Sequence, residues 1–319
     1  MDCYRVYELT IASEWPLPGL LPDTDSREID IHIRRGTVAD FQPATAPESG
    51  VGAVCFQARP NQVLVWLPDI ARILVRAGDD IVVEPLHPHK HDAIALFLLN
   101  HALAIVLLQR GLLVLHAGAV LAGGQAVALA GPSGAGKSTL LAALHEQGYA
   151  VAGDELCVLR VDADGATVLP GPRMMQLWAE VLPALALADC PTFPVRTGLP
   201  KYFVPLTGEM ACVPLRELCV LRWADDSAPC RTPLTGTAKL EALLQQVYQP
   251  RYVEGMQLWP QVGAQCLRLA GRISVTMLTR RRDLAALPAS LACLFPSVNP
   301  IPSEKVSCRT HVICTTPSV

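Results

Sequence analysis

Alternation of apolar and polar side chains marks the first part of the chain as β-structure. Residues 29–34 alternate with a period of two, the pattern of a strand with one buried face. Gln62–Leu67 is a second strand-like run, and residues 72–76 and 81–84 flank a turn at Gly78, which predicts a hairpin. Because proline and glycine punctuate these runs and no catalytic pattern occurs among them, we predict a small β-rich domain over residues 1–88.

The next pattern is a long apolar stretch. Residues 93–108 are apolar except for Asn100 and His101 in the middle. A membrane span needs about 20 apolar residues, so this stretch predicts a buried helix and not a membrane helix. We expect the helix to begin near Asp92, as its N-cap, and to end before Gly111.

A pair of glycines then separates two apolar runs. Residues 112–121 and Gln125–Ala130 are strand-like, and the pair Gly123-Gly124 between them is a strong signal of a tight hairpin turn. With these two glycines at the turn, the register places His116 opposite Gly131. A lone histidine in an apolar strand is usually a core residue, but this position lies beside the loop that follows, so we interpret His116 as functional.

The hairpin leads directly into the pattern G-x-x-x-x-G-K-[ST]. In this pattern glycine backbones curl round a polyphosphate, the lysine reaches the β- and γ-oxygens, and the hydroxyl holds Mg²⁺. A strand before the loop and a predicted helix over residues 138–147 complete the context of an anion site. We therefore predict an ATP and Mg²⁺ site formed by Gly131, Pro132, Ser133, Gly134, Ala135, Gly136, Lys137, Ser138 and Thr139.

Two acidic residues follow the next short strand. Residues 149–152 are strand-like, and Asp154 and Glu155 come after Gly153. Acidic residues at the carboxyl end of a strand beside a phosphate loop serve Mg²⁺ or a nucleophile. We predict that the acidic pair and Ser138 hold the metal. The predicted catalytic residues are His116, Lys137, Asp154 and Glu155.

Two other patterns resemble metal sites without completing one. His87, His89 and His91 alternate, but no second cluster of ligands accompanies them, so we predict a loop. The run Asp162-Ala163-Asp164-Gly165 opens like a calcium loop but lacks the length and the closing glutamate, so we predict a hairpin turn.

Beyond residue 170 the patterns predict elements but no site. The expected elements are a helix over 174–187, strands over 201–205 and 215–223, and a helix over 238–247 that ends at Gln249-Pro250. Lys201 and Arg251 are candidates for phosphate contacts, with solvent-facing cations as the alternative. Residues 296–319 show little periodicity and predict a flexible tail.

Composition narrows the class of protein. The chain has 319 residues, 51% of them hydrophobic, and a net charge of −3, which gives no indication of nucleic acid or of an anionic membrane as a partner. The 11 cysteines are odd in number, with no C-x-x-C pair, which favours reduced thiols over a disulfide scaffold or a zinc ribbon. The first residues lack the charged and apolar regions of a signal peptide, so we predict a cytoplasmic protein.

These motifs together resemble the kinase domain of HPr kinase/phosphorylase, which is akin in fold to ATP-dependent phosphoenolpyruvate carboxykinase. The similarity is strong over residues 90–160 and extends in weaker form to about 290. It is carried by the phosphate loop and by the runs Leu115-His116-Ala117-Gly118 and Val151-Ala152-Gly153-Asp154-Glu155. The resemblance implies an α/β fold with a P-loop kinase domain over 89–295, preceded by the β-rich domain.

The resemblance also implies transfer of the ATP γ-phosphate to a serine of a protein or peptide, including precursors of peptide natural products such as lasso peptides. Glu155 stands where the family has aspartate, and the family's downstream glycine-rich signature is not visible, which separates this chain from HPr as substrate. The alternatives are an ATP-binding regulatory module without transfer activity and a small-molecule kinase. Assembly into a homo-oligomer is left open.

Overall fold

A computed structural model describes residues 1–24, 28–38, 54–185, 187, 190, 192–208, 211–225 and 228–295. Within these ranges the fold is mixed α/β, with three sheets and seven α-helices. The predicted α/β class is therefore confirmed. The predicted tail over 296–319 lies outside the described residues.

The first sheet is built from the N-terminal residues alone. Its eight strands have the order β3-β1-β2-β4-β8-β7-β6-β5. Their bounds are β1 (Asp2–Val6), β2 (Leu9–Ser13), β3 (Leu21–Pro22), β4 (Ile31–Arg35), β5 (Cys55–Arg59), β6 (Gln62–Leu67), β7 (Ala71–Arg76) and β8 (Asp80–Pro85). The strand predicted over 62–67 and the hairpin around Gly78 are confirmed, and the strand predicted over 29–34 begins two residues later.

The second sheet has nine strands and carries the predicted phosphate loop. It has the order β12-β10-β11-β18-β14-β13-β9, with β20 on β18 and β19 on β20. Its strands are β9 (Leu113–Leu115), β10 (Ala117–Ala122), β11 (Gln125–Ala130), β12 (Val151–Gly153), β13 (Cys157–Val161), β14 (Ala166–Leu169), β18 (Val213–Trp223), β19 (Cys230–Pro233) and β20 (Ser274–Arg280). Because β11, β18 and β20 are parallel, their carboxyl ends share one edge.

The third sheet corrects a prediction. It consists of β15 (Met174–Trp178), β16 (Phe193–Pro194) and β17 (Lys201–Pro205) in the order β15-β17-β16. The helix predicted over 174–187 is wrong: its first part is β15, and short 3₁₀ turns follow at Ala179–Val181 and Pro183–Leu185. A short apolar run is ambiguous between helix and strand, and here pairing with β17 decides it.

The helices lie mainly in the second half of the chain. They are α1 (His91–Phe97), α2 (Leu103–Gln109), α3 (Lys137–Glu146), α4 (Gly236–Gln245), α5 (Pro250–Gly255), α6 (Trp259–Ala270) and α7 (Leu287–Leu294). A π-helical turn, Leu98–Ala102, joins α1 to α2, so the predicted helix is present but contains a widened turn. Asp92 is not the N-cap of α1, because Lys90 occupies that position. The Asp92 carboxylate instead accepts a hydrogen bond from the backbone amide of Thr197. Pro250 opens α5 and does not close the helix before it.

The hairpin before the loop has the predicted register. Gly123 and Gly124 occupy its turn with positive φ, and Ala117 pairs with Ala130. The strand predicted over 112–121 is interrupted at His116, however, because β9 pairs with β13 while β10 pairs with β11 and β12. His116 therefore lies at a junction between strands, with its backbone amide donating to Gln246 at 2.7 Å.

One buried cluster links the first sheet to the rest of the protein. It contains side chains of β6 to β8, of α2 and of β9 to β11. The helical run His91–Gln109 is long and apolar enough to cross a membrane, but 67% of its most apolar window is buried within the protein, as in a core helix. The division into domains at residue 88 stays a prediction, since the two parts share apolar packing.

This shared packing predicts cooperative unfolding. Ile73 in β7 is fully buried, and Ile73→Ala removes methyl groups from the common cluster. We expect a loss of about 2–5 kcal/mol in the free energy of unfolding. Hydrogen exchange should rise in β18 as well as in β6, whereas Leu267→Ala, at an exposed position, should change neither. Faster exchange confined to the first sheet would show two independently stable units.

Candidate functional site

The loop between β11 and α3 has the backbone of an anion cradle. Gly131, Gly134 and Gly136 all have positive φ, a conformation that costs glycine little. A Cβ on Gly136 would collide with the guanidinium of Arg280, so this position also needs glycine for space. Since α3 begins directly after Gly136, the loop ends at the positive end of a helix dipole.

Lys137 is a buried cation within this loop. The residue is only 7% exposed. Its Nζ donates hydrogen bonds to the backbone carbonyls of Gly131 at 2.8 Å and Pro132 at 3.4 Å. Burial lowers the pKa of Lys137, while the nearby Glu155 and Asp154 act in the opposite direction. Carbonyl groups of the loop therefore hold the ammonium group of Lys137. The same group lies within electrostatic range of both acidic residues.

The remaining predicted cofactor residues lie where the pattern placed them. Pro132, Ser133 and Gly134 are exposed at the tip of the loop, and Ala135 is buried beneath it. Ser138 and Thr139 form the first turn of α3 and are half-buried.

Asp154 is a buried carboxyl group with one oxygen that has no hydrogen-bond partner among the described residues. The residue is 6% exposed, and Oδ2 accepts from the backbone amide of Gln176 at 2.8 Å. Oδ1 is buried without a hydrogen-bond partner among the described residues. Burial raises the pKa of Asp154, although the Gln176 amide and the Ser138 hydroxyl act in the opposite direction. A lone carboxylate oxygen beside a serine hydroxyl is a donor set that suits a hard divalent cation.

The described residues contain no group of three or more histidine, cysteine or acidic side chains placed to hold a metal by themselves. His87 and His89 lie in a turn before α1, as the predicted loop requires, whereas His91 is the first residue of α1.

Glu155 and His116 form a second part of the site. His116 Nδ1 lies 3.5 Å from Glu155 Oε1, and both side chains are about 30% exposed. The imidazole stacks on Tyr248 with an interplanar angle of 14°. Burial, with a smaller contribution from Lys137, lowers the pKa of His116 to about 4. At neutral pH the imidazole is therefore neutral, and its contact with Glu155 is not an ion pair.

The two cationic residues considered for phosphate contacts lie in different parts of the structure. Lys201 perturbs the pKa values of His116, Lys137 and Asp154, so it faces the site. Arg251 instead lies over the ring of Phe56 in β5, 5.2 Å from its centroid. Of the two, only Lys201 is brought to the loop region.

Sequence reasoning missed two residues that contact the loop. Trp223 and Arg280 are register partners at the carboxyl ends of β18 and β20. Trp223 Nε1 donates to Gly134 at 3.2 Å, and Arg280 donates to Ala135 at 3.0 Å while stacking on Trp223. Arg280 is 3% exposed, its Nε has no partner in the described part of the chain, and burial lowers its pKa to about 10. Both residues end strands that run parallel to β11, and residues at the carboxyl ends of parallel strands commonly line a binding site.

A small cavity adjoins the acidic pair and involves the N-terminal sheet. Its volume is about 30 Å³. Its walls are Tyr7, Pro18, Leu99, Asn100, Asp154, Glu155, Leu156, Pro172, Met174, Gln176 and Phe203. No sequence pattern marks Tyr7 or Asn100 as residues of the site.

Comparison with known proteins adds little to this geometry. No family model and no curated protein matches the chain. The solved structure of the Hpr(Ser) kinase/phosphatase from Coxiella burnetii is a distant structural neighbour. It has a TM-score of 0.27 and 12% sequence identity, over 56% of this chain and 93% of that one. A similarity of this size carries no conclusion about function, so the function is argued from the site.

The pKa of His116 predicts its titration. The imidazole should stay neutral from pH 8 to about pH 5 in NMR spectra, with a midpoint near 4. An unfolded histidine titrates near 6.5. The lowered pKa therefore contributes stability above pH 6.5 that is lost as the pH falls towards 4. His116→Gln assigns the resonance, and a midpoint near 6.5 in the native protein would contradict the burial argument.

We expect Arg280 to increase the affinity for anions without increasing the stability of the fold. A buried cation is costly when, as for Arg280 among the described residues, no carboxylate pairs with it, so Arg280→Met should not lower the melting temperature of the ligand-free protein. One charge within about 10 Å of the anion contributes on the order of 1–2 kcal/mol, so pyrophosphate should bind roughly tenfold more weakly in calorimetry. The matched control is Arg282→Met, at an exposed position. Unchanged affinity in Arg280→Met would make the arginine purely structural.

Proposed function

We propose that the protein is an ATP- and Mg²⁺-dependent kinase that transfers the γ-phosphate to the hydroxyl of a serine in a protein or peptide. The observation that carries the proposal is Oδ1 of Asp154, which is buried without a hydrogen-bond partner in the described part of the chain. It lies near Ser138, in the first turn of the helix that follows the glycine loop. A buried oxygen without a hydrogen-bond partner destabilises a packed core, and a bound cation would remove that cost.

The phosphate-binding role belongs to the loop and its lysine. Backbone amides of residues 131–136 and the positive end of α3 favour the phosphates, and Lys137 is close enough to exchange its loop carbonyls for β- and γ-oxygens. Mg²⁺ held by Ser138 and Asp154 would neutralise charge on these oxygens. Lys201 adds a further cation on the same side.

Glu155 and His116 handle the acceptor hydroxyl. As the serine oxygen bonds to the γ-phosphorus and the bond to the ADP oxygen breaks, the serine proton passes to the Glu155 carboxylate. The neutral His116, 3.5 Å from Glu155, orients that carboxylate. This pair favours a kinase over a passive nucleotide-binding module, because a passive binder has no use for a proton acceptor next to the phosphates.

Several parts of this assignment are predictions that rest on the sequence. They are the P-loop kinase type of fold, the peptide nature of the acceptor, the cytoplasmic location and the absence of nucleic-acid and membrane partners. A small-molecule acceptor remains the alternative within the same chemistry, and ATP-dependent regulation without transfer remains the alternative outside it.

The two acidic residues predict different losses of function. Glu155→Gln should lower γ-phosphate release from ATP, to peptide or water, by about 10²–10³ with unchanged Mg²⁺ dependence. Asp154→Asn should need far more Mg²⁺, because it removes half of the protein's donor set. Both are measured by phosphate release over a Mg²⁺ series.

Two further variants complete this experiment. Lys137→Ala should lose ATP affinity in calorimetry, and Asp164→Asn, at an exposed turn position, is the matched control for Asp154→Asn. ATP binding and turnover equal to wild type in the variants at 137, 154 and 155 would refute the kinase assignment.

A further inference from the structure

The cavity beside the acidic pair has polar groups on one side and an apolar wall on the other. Asp154, Glu155 and Gln176 line it together with Asn100, and the apolar wall includes Leu99, Met174 and Phe203. Asp154, whose Oδ1 is assigned above to Mg²⁺, brings the proposed metal to the same side of the cavity. The cavity is therefore built for a small polar group.

The N-terminal sheet closes this cavity with a strained turn. Tyr7 and Glu8, which connect β1 to β2, have φ of +53° and +62°, a left-handed conformation that is unfavourable for residues of this size. Tyr7 is nevertheless 2% exposed, and its backbone amide donates to Pro170 at 2.9 Å. An ion pair between Glu8 and Arg160 fixes the other half of the turn.

The close packing of Tyr7 leaves little room for adjustment. A Cβ on Gly171 would lie 3.2 Å from the Tyr7 hydroxyl, so glycine at this position allows the tyrosine to reach the cavity. Backbone strain that persists in a native structure tends to occur where surrounding contacts over-determine a functional geometry. Here the turn brings a side chain from the first sheet to the acidic residues of the second.

The helix behind the cavity is also irregular at this point. The π-helical turn Leu98–Ala102 contains both of its helical wall residues, Leu99 and Asn100. Single π-turns in α-helices commonly occur at functional sites, where they redirect one side chain. Two independent irregularities, the left-handed turn and the π-turn, thus meet at one small cavity.

The volume sets the size of the group that fits. A cavity needs at least about 10–15 Å³ of accessible volume to hold one water, so about 30 Å³ suits a group of a few non-hydrogen atoms. We infer that this cavity is the acceptor pocket for a hydroxymethyl group, and that Tyr7 and Met174 limit it to that size. The inference rests on the proposed function, because the hydroxyl must meet the γ-phosphate at Glu155.

A size limit of this kind has a chemical consequence. A primary alcohol on a small side chain enters with its oxygen towards Glu155, whereas an added methyl group meets Tyr7 or the apolar wall. A single methyl or methylene changes discrimination by roughly 10–200-fold in a rigid pocket. The first sheet then contributes to the selection of the acceptor through Tyr7, in addition to supporting the fold.

The test uses N-acetyl-L-serinamide, N-acetyl-L-threoninamide and N-acetyl-L-alaninamide with the full chain and Mg·ATP. Phosphorylated product is measured by mass spectrometry, phosphate released to water in the same samples, and ATP affinity by calorimetry. We expect phosphorylation of the serine compound at least tenfold faster than of the threonine compound. Tyr7→Leu and Met174→Ala should each narrow this ratio to about threefold, without a change in ATP affinity.

The controls separate pocket size from stability. Tyr7→Phe keeps the volume and should keep the ratio, and Leu267→Ala, at an exposed position of α6, should match wild type. Met174→Ala keeps the test valid if Tyr7→Leu fails to fold.

The inference is overturned by equal rates for serine and threonine compounds, by a ratio that neither pocket variant changes, or by ATP hydrolysis without phosphorylation of the serine compound. Absence of ATP binding by the wild type would instead refute the proposed function and this inference with it.

Discussion

The site depends on charged side chains that the protein buries close to one another, with Lys137 within electrostatic range of Asp154 and Glu155. Asp154 holds one oxygen with the Gln176 amide and leaves the other unpaired, while Lys137 and Arg280 are buried with carbonyl oxygens as partners. Buried charged groups lose their hydration, and a core with apolar residues at these positions would be more stable. In the function that we propose, polyphosphate and a divalent cation would complete the arrangement, with phosphate oxygens next to the cations and the metal next to the carboxyl group.

Sheet topology places these charges together. The loop follows β11, and Trp223 and Arg280 end the strands parallel to it, so three strand ends supply one edge. Asp154 and Glu155 follow β12, which lies on the other side of β10. Their side chains then diverge: Asp154 is buried near Ser138, and Glu155 faces His116. Both residues lie in the bend between β12 and β13, which directs two neighbouring carboxyl groups to different parts of the site.

The features that the sequence predicted are those encoded by short stretches. The Gly123-Gly124 turn determines the hairpin register, and the glycine spacing of the loop requires positive φ at fixed positions, so both follow from local rules. The strand at Met174–Trp178 was predicted as a helix because a short apolar run has no decisive period, and its pairing with residues 201–205 is not local. Arg280 and Tyr7 were missed for the same reason, since each reaches the site only through tertiary packing.

The position of Tyr7 changes how the first sheet is understood. A domain that only supports a neighbour needs apolar contact, which the shared cluster provides through α2 and β7. It does not need a tyrosine and a glutamate in left-handed conformations at the tip of a hairpin, where glycine or asparagine would fold with less strain. The backbone of the turn is held by Pro170, directly after β14, and the charge of Glu8 pairs with Arg160 in β13. On our inference, the strained turn serves the acceptor pocket at Glu155 and not only the stability of the sheet.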